Sequence, residues 1–267
     1  MKNLKQRYRY SVILLRELVV TDFKLRYQGS FLGYLWSLLR PLALFVILYL
    51  VFVRFLRFGD ALPHFPVYLL LGIVLWNYFA EVTNGGVGAI VGKGDLLRKL
   101  NFPKYVIVLA GSLSAMINLA INLVVVFVFM LINNVDFQWS ILYAPLVITE
   151  LFVFSLAVAF LLSALFVKLR DINYIWEVLM QGAFYATPII YPLTAIPEKA
   201  GKLLMLSPVS QIIQDLRYAL VTHETPTIGS VYGNQWMRLV PIGVVIIFAI
   251  GAAYYFKKRS RFFAEEI

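Results

Sequence analysis

Few residues in this chain have the types or spacing for covalent chemistry. It has no cysteine, so it offers no thiolate nucleophile, thiolate metal site or disulfide framework. His64 and His223 lie far apart in sequence, which argues against a histidine-based metal centre. Three carboxylates, Glu81, Glu150 and Glu177, interrupt long apolar runs. A carboxylate in hydrocarbon is costly, so each is expected to face protein or a wet cavity. None has another acid or a histidine close in sequence, so neither paired-carboxylate catalysis nor a proton relay is indicated. The stretch Gly88-Ala89-Ile90-Val91-Gly92-Lys93-Gly94 invites comparison with a phosphate-binding loop. It has three residues between its glycines where such a loop needs four, and Gly94 where the loop needs Ser or Thr. Gly85, Gly86, Gly88 and Gly92 read better as close helix packing or a broken span.

What remains is chemistry of surfaces rather than of bonds. Aromatic residues make up 16% of the chain. Trp36 and Trp236 suit interfacial anchoring. Phe45, Tyr49 and Phe52 recur at i, i+4 and i+7 and so share one helical face, and a later apolar run carries Trp176, Phe184 and Tyr185. Rings facing a pore can stack on sugar rings and still let them slide; helix packing or contact with lipid is the competing role.

The elements that must position these residues are membrane spans. Of 267 residues, 61% are apolar and 14% charged, with mean hydropathy +0.80, well outside the range of a soluble domain. Runs of spanning length cover approximately residues 35–55, 65–91, 105–132, 141–167, 172–192 and 239–256. Six spans place both termini on one side. With that side cytoplasmic, the outer segments hold only Arg54, Arg57, Lys199, Lys202, Arg217 and Arg238 of the 24 basic residues, as the positive-inside rule requires. The net charge of +10 therefore reflects topology rather than a nucleic-acid surface. The first 30 or so residues lack a small-residue cleavage site, so the mature chain is expected to begin near Met1.

Leu4, Tyr8, Val12, Leu15, Val19 and Phe23 recur every three or four residues before the first span, with Arg7, Arg9, Arg16 and Lys24 at other positions. This predicts a basic amphipathic helix in the inner interface; packing on protein alone is the alternative. Between the second and third spans, residues 93–104 are short, basic and amphipathic. Leu96, Leu97 and Leu100 can face one way and Arg98 and Lys99 another, as in a helix that fills a partner's groove, or the loop serves topology only. Beyond the fifth span, Pro188, Pro192 and Pro197 interrupt the helix, and Ser207-Pro208 opens a new one. Val209, Ile212, Ile213, Leu216 and Leu220 then form one face, with Gln211, Gln214, Asp215 and Arg217 away from it. A short helix resting on or dipping into the outer leaflet is expected, either as a gate or as a plain surface element.

The stretch from Asp22 to Pro41, DFKLRYQGSFLGYLWSLLRP, closely resembles the opening signature of type-2 ABC exporter permeases, the membrane subunits of polysaccharide, O-antigen and teichoic-acid exporters. Further matches follow in order: Gly72-Ile-Val-Leu-Trp76-Asn-Tyr78-Phe79, Asp95-Leu-Leu-Arg98-Lys99-Leu-Asn-Phe102-Pro103, Lys168-Leu-Arg170-Asp171-Ile172 and Thr187-Pro188-Ile-Ile-Tyr191-Pro192. Arg40 departs from the small polar residue that members often carry before the proline, and its charge near the channel mouth bears on substrate preference.

The resemblance implies an all-α integral membrane protein with an amphipathic N-terminal interface segment (1–34), a six-span domain (35–256) and a cytoplasmic tail (257–267). Short re-entrant gate helices are implied between spans five and six. It implies a homodimer in the bacterial cytoplasmic membrane, paired with a dimer of a separate ATPase that holds the ATP and Mg, and so a chain with no cofactor, metal or catalytic residue of its own. Asp95, Leu96, Leu97, Arg98, Lys99, Leu100 and Phe102 would form the coupling helix. Thr187, Pro188, Tyr191, Pro192, Ser207 and Pro208 would belong to the outer gate (187–238). Phe45, Tyr49, Phe52, Trp176, Phe184 and Tyr185 would line the channel, and Lys24, Arg26 and Arg40 would attract a diphosphate headgroup at the inner mouth. The expected cargo is an undecaprenyl-diphosphate-linked polymer. A polyisoprenoid-linked sugar or phosphate transferase and a type-2 ABC drug exporter are the alternatives; the transferase is disfavoured because Asp22, Asp95 and Asp171 lie in three separate inner segments.

Overall fold

The computed structural model describes residues 2–27, 33–55, 62–99 and 102–266, and among these there is no β-strand. Twelve α-helices follow in order among the described residues: α1 (Lys2–Tyr27), α2 (Trp36–Tyr49), α3 (Phe65–Val87), α4 (Gly94–Lys99), α5 (Tyr105–Ile132), α6 (Ala144–Lys168), α7 (Ile172–Ala186), α8 (Glu198–Met205), α9 (Pro208–Leu220), α10 (Ile228–Tyr232), α11 (Leu239–Arg259) and α12 (Phe263–Glu266). Among the described residues, five segments are long and apolar enough to cross a bilayer: Trp36–Phe55, Phe65–Val87, Tyr105–Ile132, Trp139–Lys168 and Gln235–Arg259. The first combines α2 with a wider π-helical end over Leu50–Phe55.

The expected fifth span over residues 172–192 takes a different form. Its helix, α7, stops after 15 residues, about 22 Å at 1.5 Å per residue and short of a hydrocarbon core of about 30 Å. The cause is local: Thr187 turns to an extended conformation before Pro188, whose ring disfavours a helical predecessor. Residues 187–190 are nonetheless buried, so the chain continues through the protein as irregular backbone.

Helix α3 is the hub. Of its membrane-length window 78% is buried, against 11% for the first span and 22% for the last, and it touches α2, α5, α6, α7 and α9. Close approach to α6 is possible because Gly86 has no side chain; an added Cβ would lie 2.5 Å from the Ala159 Cβ. Small residues that bring backbones together are the usual means of association where lipid removes the hydrophobic drive between helices.

Helix α1 lies along α5. The side it turns inward carries buried Ser11 and half-buried Leu14, Leu15, Leu18 and Asp22, whereas Tyr10, Val12, Ile13, Val20 and Leu25 are exposed. The packed face is thus rotated from the expected stripe, in which Val12 was a member. Two apolar faces, one against α5 and one open, explain why the periodicity is diffuse.

The largest departure is α9. Residues 208–217 are buried without exception, between α3, α6 and α11, including the polar residues expected to face away. Burial is offset in part because each of these residues has a partner: Tyr68 Oη donates to Gln214 Oε1 (3.3 Å), Gln211 Nε2 to Asp215 Oδ2 (2.5 Å), and Asp215 pairs with Arg238 (2.9 Å), although Gln211 Oε1, Gln214 Nε2 and Asp215 Oδ1 are buried without one. A helix that reads as amphipathic is therefore polar toward the protein's interior rather than toward water. Beyond it, Leu193, Met205 and Ile228 form a small separate core that joins α8 and α10.

Candidate functional site

Three places carry polar or charged chemistry inside this apolar framework. The first is one face of α3, where Asn77, Glu81 and Asn84 stand at i, i+4 and i+7. Together with Trp36, Ser37, Arg40 and Tyr78, and with Asn118 and Asn122 from α5, they line a cavity of about 470 Å³ at the start of the first span. Asn118 Nδ2 donates to Glu81 Oε1 (3.1 Å), and Asn122 Nδ2 to the Ser37 carbonyl (3.3 Å) and the Asn118 carbonyl (2.9 Å), so the wall is itself hydrogen-bonded. A groove of about 440 Å³ shares Asn77, Ala80 and Asn84 with this cavity and runs on to Glu177, Gln181, Phe184 and Tyr185 of α7. Two of the three intramembrane acids expected from sequence, Glu81 and Glu177, therefore face these spaces. The third, Glu150, stands beside Gln211 and Asp215 of α9.

The aromatic residues expected along a channel divide. Phe184 and Tyr185 meet edge to face at 5.3 Å and line the groove. Trp176 is half-buried. Phe45 is 6% exposed, set edge-on to Phe129 of α5 at 5.5 Å and 5.7 Å from Tyr49, with Phe52 packed on the same core. Within the subunit, the Phe45 ring thus seals the first span against the third, which is the packing role that a shared helical face also permits. Of the residues expected at the inner mouth, Lys24 and Arg40 are exposed, and Arg40 lines the cavity; the Arg26 side chain lies outside the described residues.

The second place is the connection between α3 and α5. Asp22 of α1 pairs with Lys93 at 2.8 Å, which ties the N-terminal helix to the start of α4. In α4, Asp95, Arg98 and Lys99 are exposed, Leu96 is half-buried, and Leu97 and, beyond the helix, Phe102 are buried in the subunit's own core. Leu100 lies outside the described residues. The leucine face expected to meet a partner is in this respect turned inward: Leu97 anchors the helix, and the charged residues are left outward. Lys104 donates to the Ser260 carbonyl (2.5 Å) and lies 5.7 Å from the Phe263 ring, so the C-terminal helix α12 braces the same connection.

The third place is the break after α7. Tyr191 Oη donates to the Tyr185 and Ala186 carbonyls at 3.0 and 3.1 Å, closing the end of α7. The next free carbonyls are taken by Arg217, which is fully buried. Its Nε donates to the Tyr68 carbonyl (3.0 Å), Nη1 to Pro188 (2.6 Å) and Nη2 to Ile189 (2.7 Å), and the guanidinium lies 3.5 Å from the Tyr68 ring centroid. Irregular backbone inside a membrane protein must have its polar groups satisfied internally, and one arginine here serves three elements. Thr187, Pro188 and Pro192 are buried around this clasp, while Tyr191 is half-buried. Ser207 occupies the cap position of α9 and Pro208 its first turn, although the Ser207 hydroxyl makes no capping bond.

Sequence reasoning overlooked the asparagine face and misplaced Arg217. Asn77 and Asn84, seven apart in an apolar run, were a usable signal for the former. For Arg217 the amphipathic pattern pointed to the surface, and only the carbonyls freed by the proline break account for an inward arginine.

Comparison with known proteins supplies the context. The chain is 30% identical over 265 residues to the O-antigen export system permease protein RfbA of Myxococcus xanthus, covering 98% of both chains. It is 25% identical over 266 residues to the protein of the same description from Klebsiella pneumoniae, covering 97% of this chain and 98% of that one. The polysialic acid transport protein KpsM of Escherichia coli is 21% identical over 210 residues, 78% of this chain and 81% of its own. Residues 13–221, from the N-terminal helix through the buried α9, match the ABC-2 type transporter family, and with these near full-length likenesses the chain belongs to that family.

Proposed function

We propose that this chain is the membrane permease of an ABC exporter that moves a cell-surface polysaccharide across the bacterial cytoplasmic membrane on a polyisoprenoid diphosphate carrier. The observation that carries the reading is the likeness over 98% of both chains to an O-antigen export permease. That likeness supports O-antigen rather than teichoic acid as the cargo class in this reading. The polar, partly aromatic spaces between the first, second and third spans and α7 support it, because a hydroxyl-rich cargo needs a path that apolar spans alone do not offer. In this reading α7 and the irregular segment after it make the fifth of six crossings, both termini lie in the cytoplasm, and α1 rests in the inner interface with its open apolar face in lipid.

The functional unit is a pair of these subunits with two copies of a separate ATPase. Tyr174, Ile175, Val178, Leu179 and Tyr185 leave an exposed apolar side on α7 suited to a second copy. ATP is bound and hydrolysed by the partner, and the work done here is mechanical: closure of the ATPase pushes on α4, and the push reaches α1 through Asp22–Lys93 and the subunit's core through Leu97. Deleting the gene in its host and restoring it on a plasmid tests the reading. Surface polymer should vanish and return, with lipid-linked polymer accumulating inside in the interval; full surface polymer without the gene refutes it.

The outward side of α4 makes charge the coupling determinant. The paired change Arg98→Glu and Lys99→Glu should release the ATPase or lower polymer-stimulated hydrolysis about tenfold, as loss of complementary charge at an interface does. The subunit itself should stay folded, since both side chains are exposed. Co-purification with the ATPase and hydrolysis assays check this; unchanged assembly and coupling would show that the α4 surface is not the docking site.

A further inference from the structure

The cavity at the start of the first span has a composition that selects among the parts of a lipid-linked polymer. Its charged lining residues among those described are Arg40 and Glu81, of opposite sign. The rest of its polar wall is dominated by carboxamides, from Asn77, Asn84, Asn118 and Asn122. A diphosphate needs an excess of cations and backbone or side-chain donors, and it would be repelled by Glu81. Carboxamides instead present a donor and an acceptor side by side, which is what a sugar hydroxyl, itself donor and acceptor, can match.

Two observations favour a ligand at the part of the wall that the bonds of Asn118 and Asn122 leave open. No hydrogen bond from a described residue reaches the side chains of Asn77, which is half-buried, or Asn84, which is exposed, so both are open to a ligand. Tyr78 lines the same cavity with its hydroxyl fully buried and unpartnered, and the residue is 2% exposed. Leaving such a group buried without a partner costs about 1–3 kcal/mol, so a ligand or water that meets it is favoured. Trp36, half exposed at the rim, supplies an aromatic face for a sugar ring.

We infer that this cavity is a binding site for one or two neutral sugar units of the cargo, not for its diphosphate headgroup, with Asn77, Tyr78 and Asn84 as hydrogen-bonding groups and Trp36 as the stacking ring. The inference rests on the export reading and deepens it. It moves Arg40 from headgroup capture to a wall that also carries Glu81, of opposite sign.

The chain has no cysteine, which permits a direct test. Asn84→Cys, in the complete permease–ATPase complex in inside-out vesicles, is labelled with a charged maleimide. The probes are the host's own surface polysaccharide, freed from lipid by mild acid, and inorganic diphosphate. The polysaccharide should slow labelling by 1 + [L]/Kd, about threefold at twice the dissociation constant, and diphosphate should leave it unchanged. Protection by diphosphate, or by neither probe, overturns the assignment. As a second arm, Asn77→Leu with Asn84→Leu should lower export about tenfold through two lost hydrogen bonds, with membrane abundance and ATPase assembly unchanged. Unaltered export in that variant also overturns it. Gene deletion that leaves surface polymer intact would instead refute the export reading itself, so the two failures are distinct.

Discussion

Replacing Arg217 by methionine is expected to remove most of the folded protein from the membrane. The aliphatic stem is retained, but the carbonyls of Pro188 and Ile189 lose their side-chain donor, and that of Tyr68 its bond beyond the helix, at once in a region closed to water. A hydrogen bond from a charged donor contributes about 1.5–3 kcal/mol, so three of them together exceed about 4 kcal/mol. A domain is stable by only about 5–15 kcal/mol. The loss falls on the junction of α3, α9 and the segment after α7. Arg217→Lys should be intermediate, because a single ammonium keeps the charge but lacks the planar fork that reaches three acceptors. Thermal unfolding in detergent, followed with limited proteolysis at residues 187–193, measures both variants. A melting temperature within about 2 °C of wild type for Arg217→Met would mean that the carbonyls find other donors, and the clasp would lose its structural role. Gly72 belongs to the same clasp: a Cβ there would collide with Nη2 of Arg217, so this position admits no side chain without displacing the guanidinium.

The second large effect is expected at Gly86. A methyl group on this residue would sit 2.5 Å from the Ala159 Cβ and 2.9 Å from its Cα, and the backbone of α6 cannot move aside as a flexible side chain can. Gly86→Ala should therefore push α3 and α6 apart at a cost of about 1–3 kcal/mol, despite alanine's better helix propensity. Adding Ala159→Gly should restore part of the loss but not all, because the Cα clash persists. Gly85→Ala, one residue away with open space around it, serves as the control and should be neutral or slightly stabilising. Thermal stability of the four proteins, compared as a double-mutant cycle, gives the coupling between positions 86 and 159. Additive effects would show that the two helices do not meet as closely as this geometry requires.

Much of the architecture was legible in the chain itself. Spans 65–87 and 105–132 have ends readable to within a few residues, because predominantly apolar runs of this length have few alternatives to a membrane helix. Pro188 stopped α7, and Ser207-Pro208 opened α9, since proline's missing amide and fixed φ act locally whatever surrounds them. The family resemblance, too, rested on residue order alone.

Where each face points was decided only by tertiary structure. Hydropathy reports the preference of a side chain for apolar surroundings, but in a membrane both the lipid and the protein interior are apolar, so a helical stripe does not say which it meets. Phe45 accordingly packs on Phe129, and the inward face of α1 is centred on Ser11, Leu14 and Leu18 rather than on Val12. The same ambiguity applies in reverse to polar groups. Leu97 turned into the core and left Arg98 and Lys99 outside, while Arg217 and Gln214 turned inward. An arginine is stable in a protein interior only where several acceptors converge, and the carbonyls of residues 68, 188 and 189 come from segments far apart in sequence. Local pattern determined which segments are helices and where they break; the long-range pairing of buried polar groups determined which of their surfaces became a wall, a clasp or a contact with lipid.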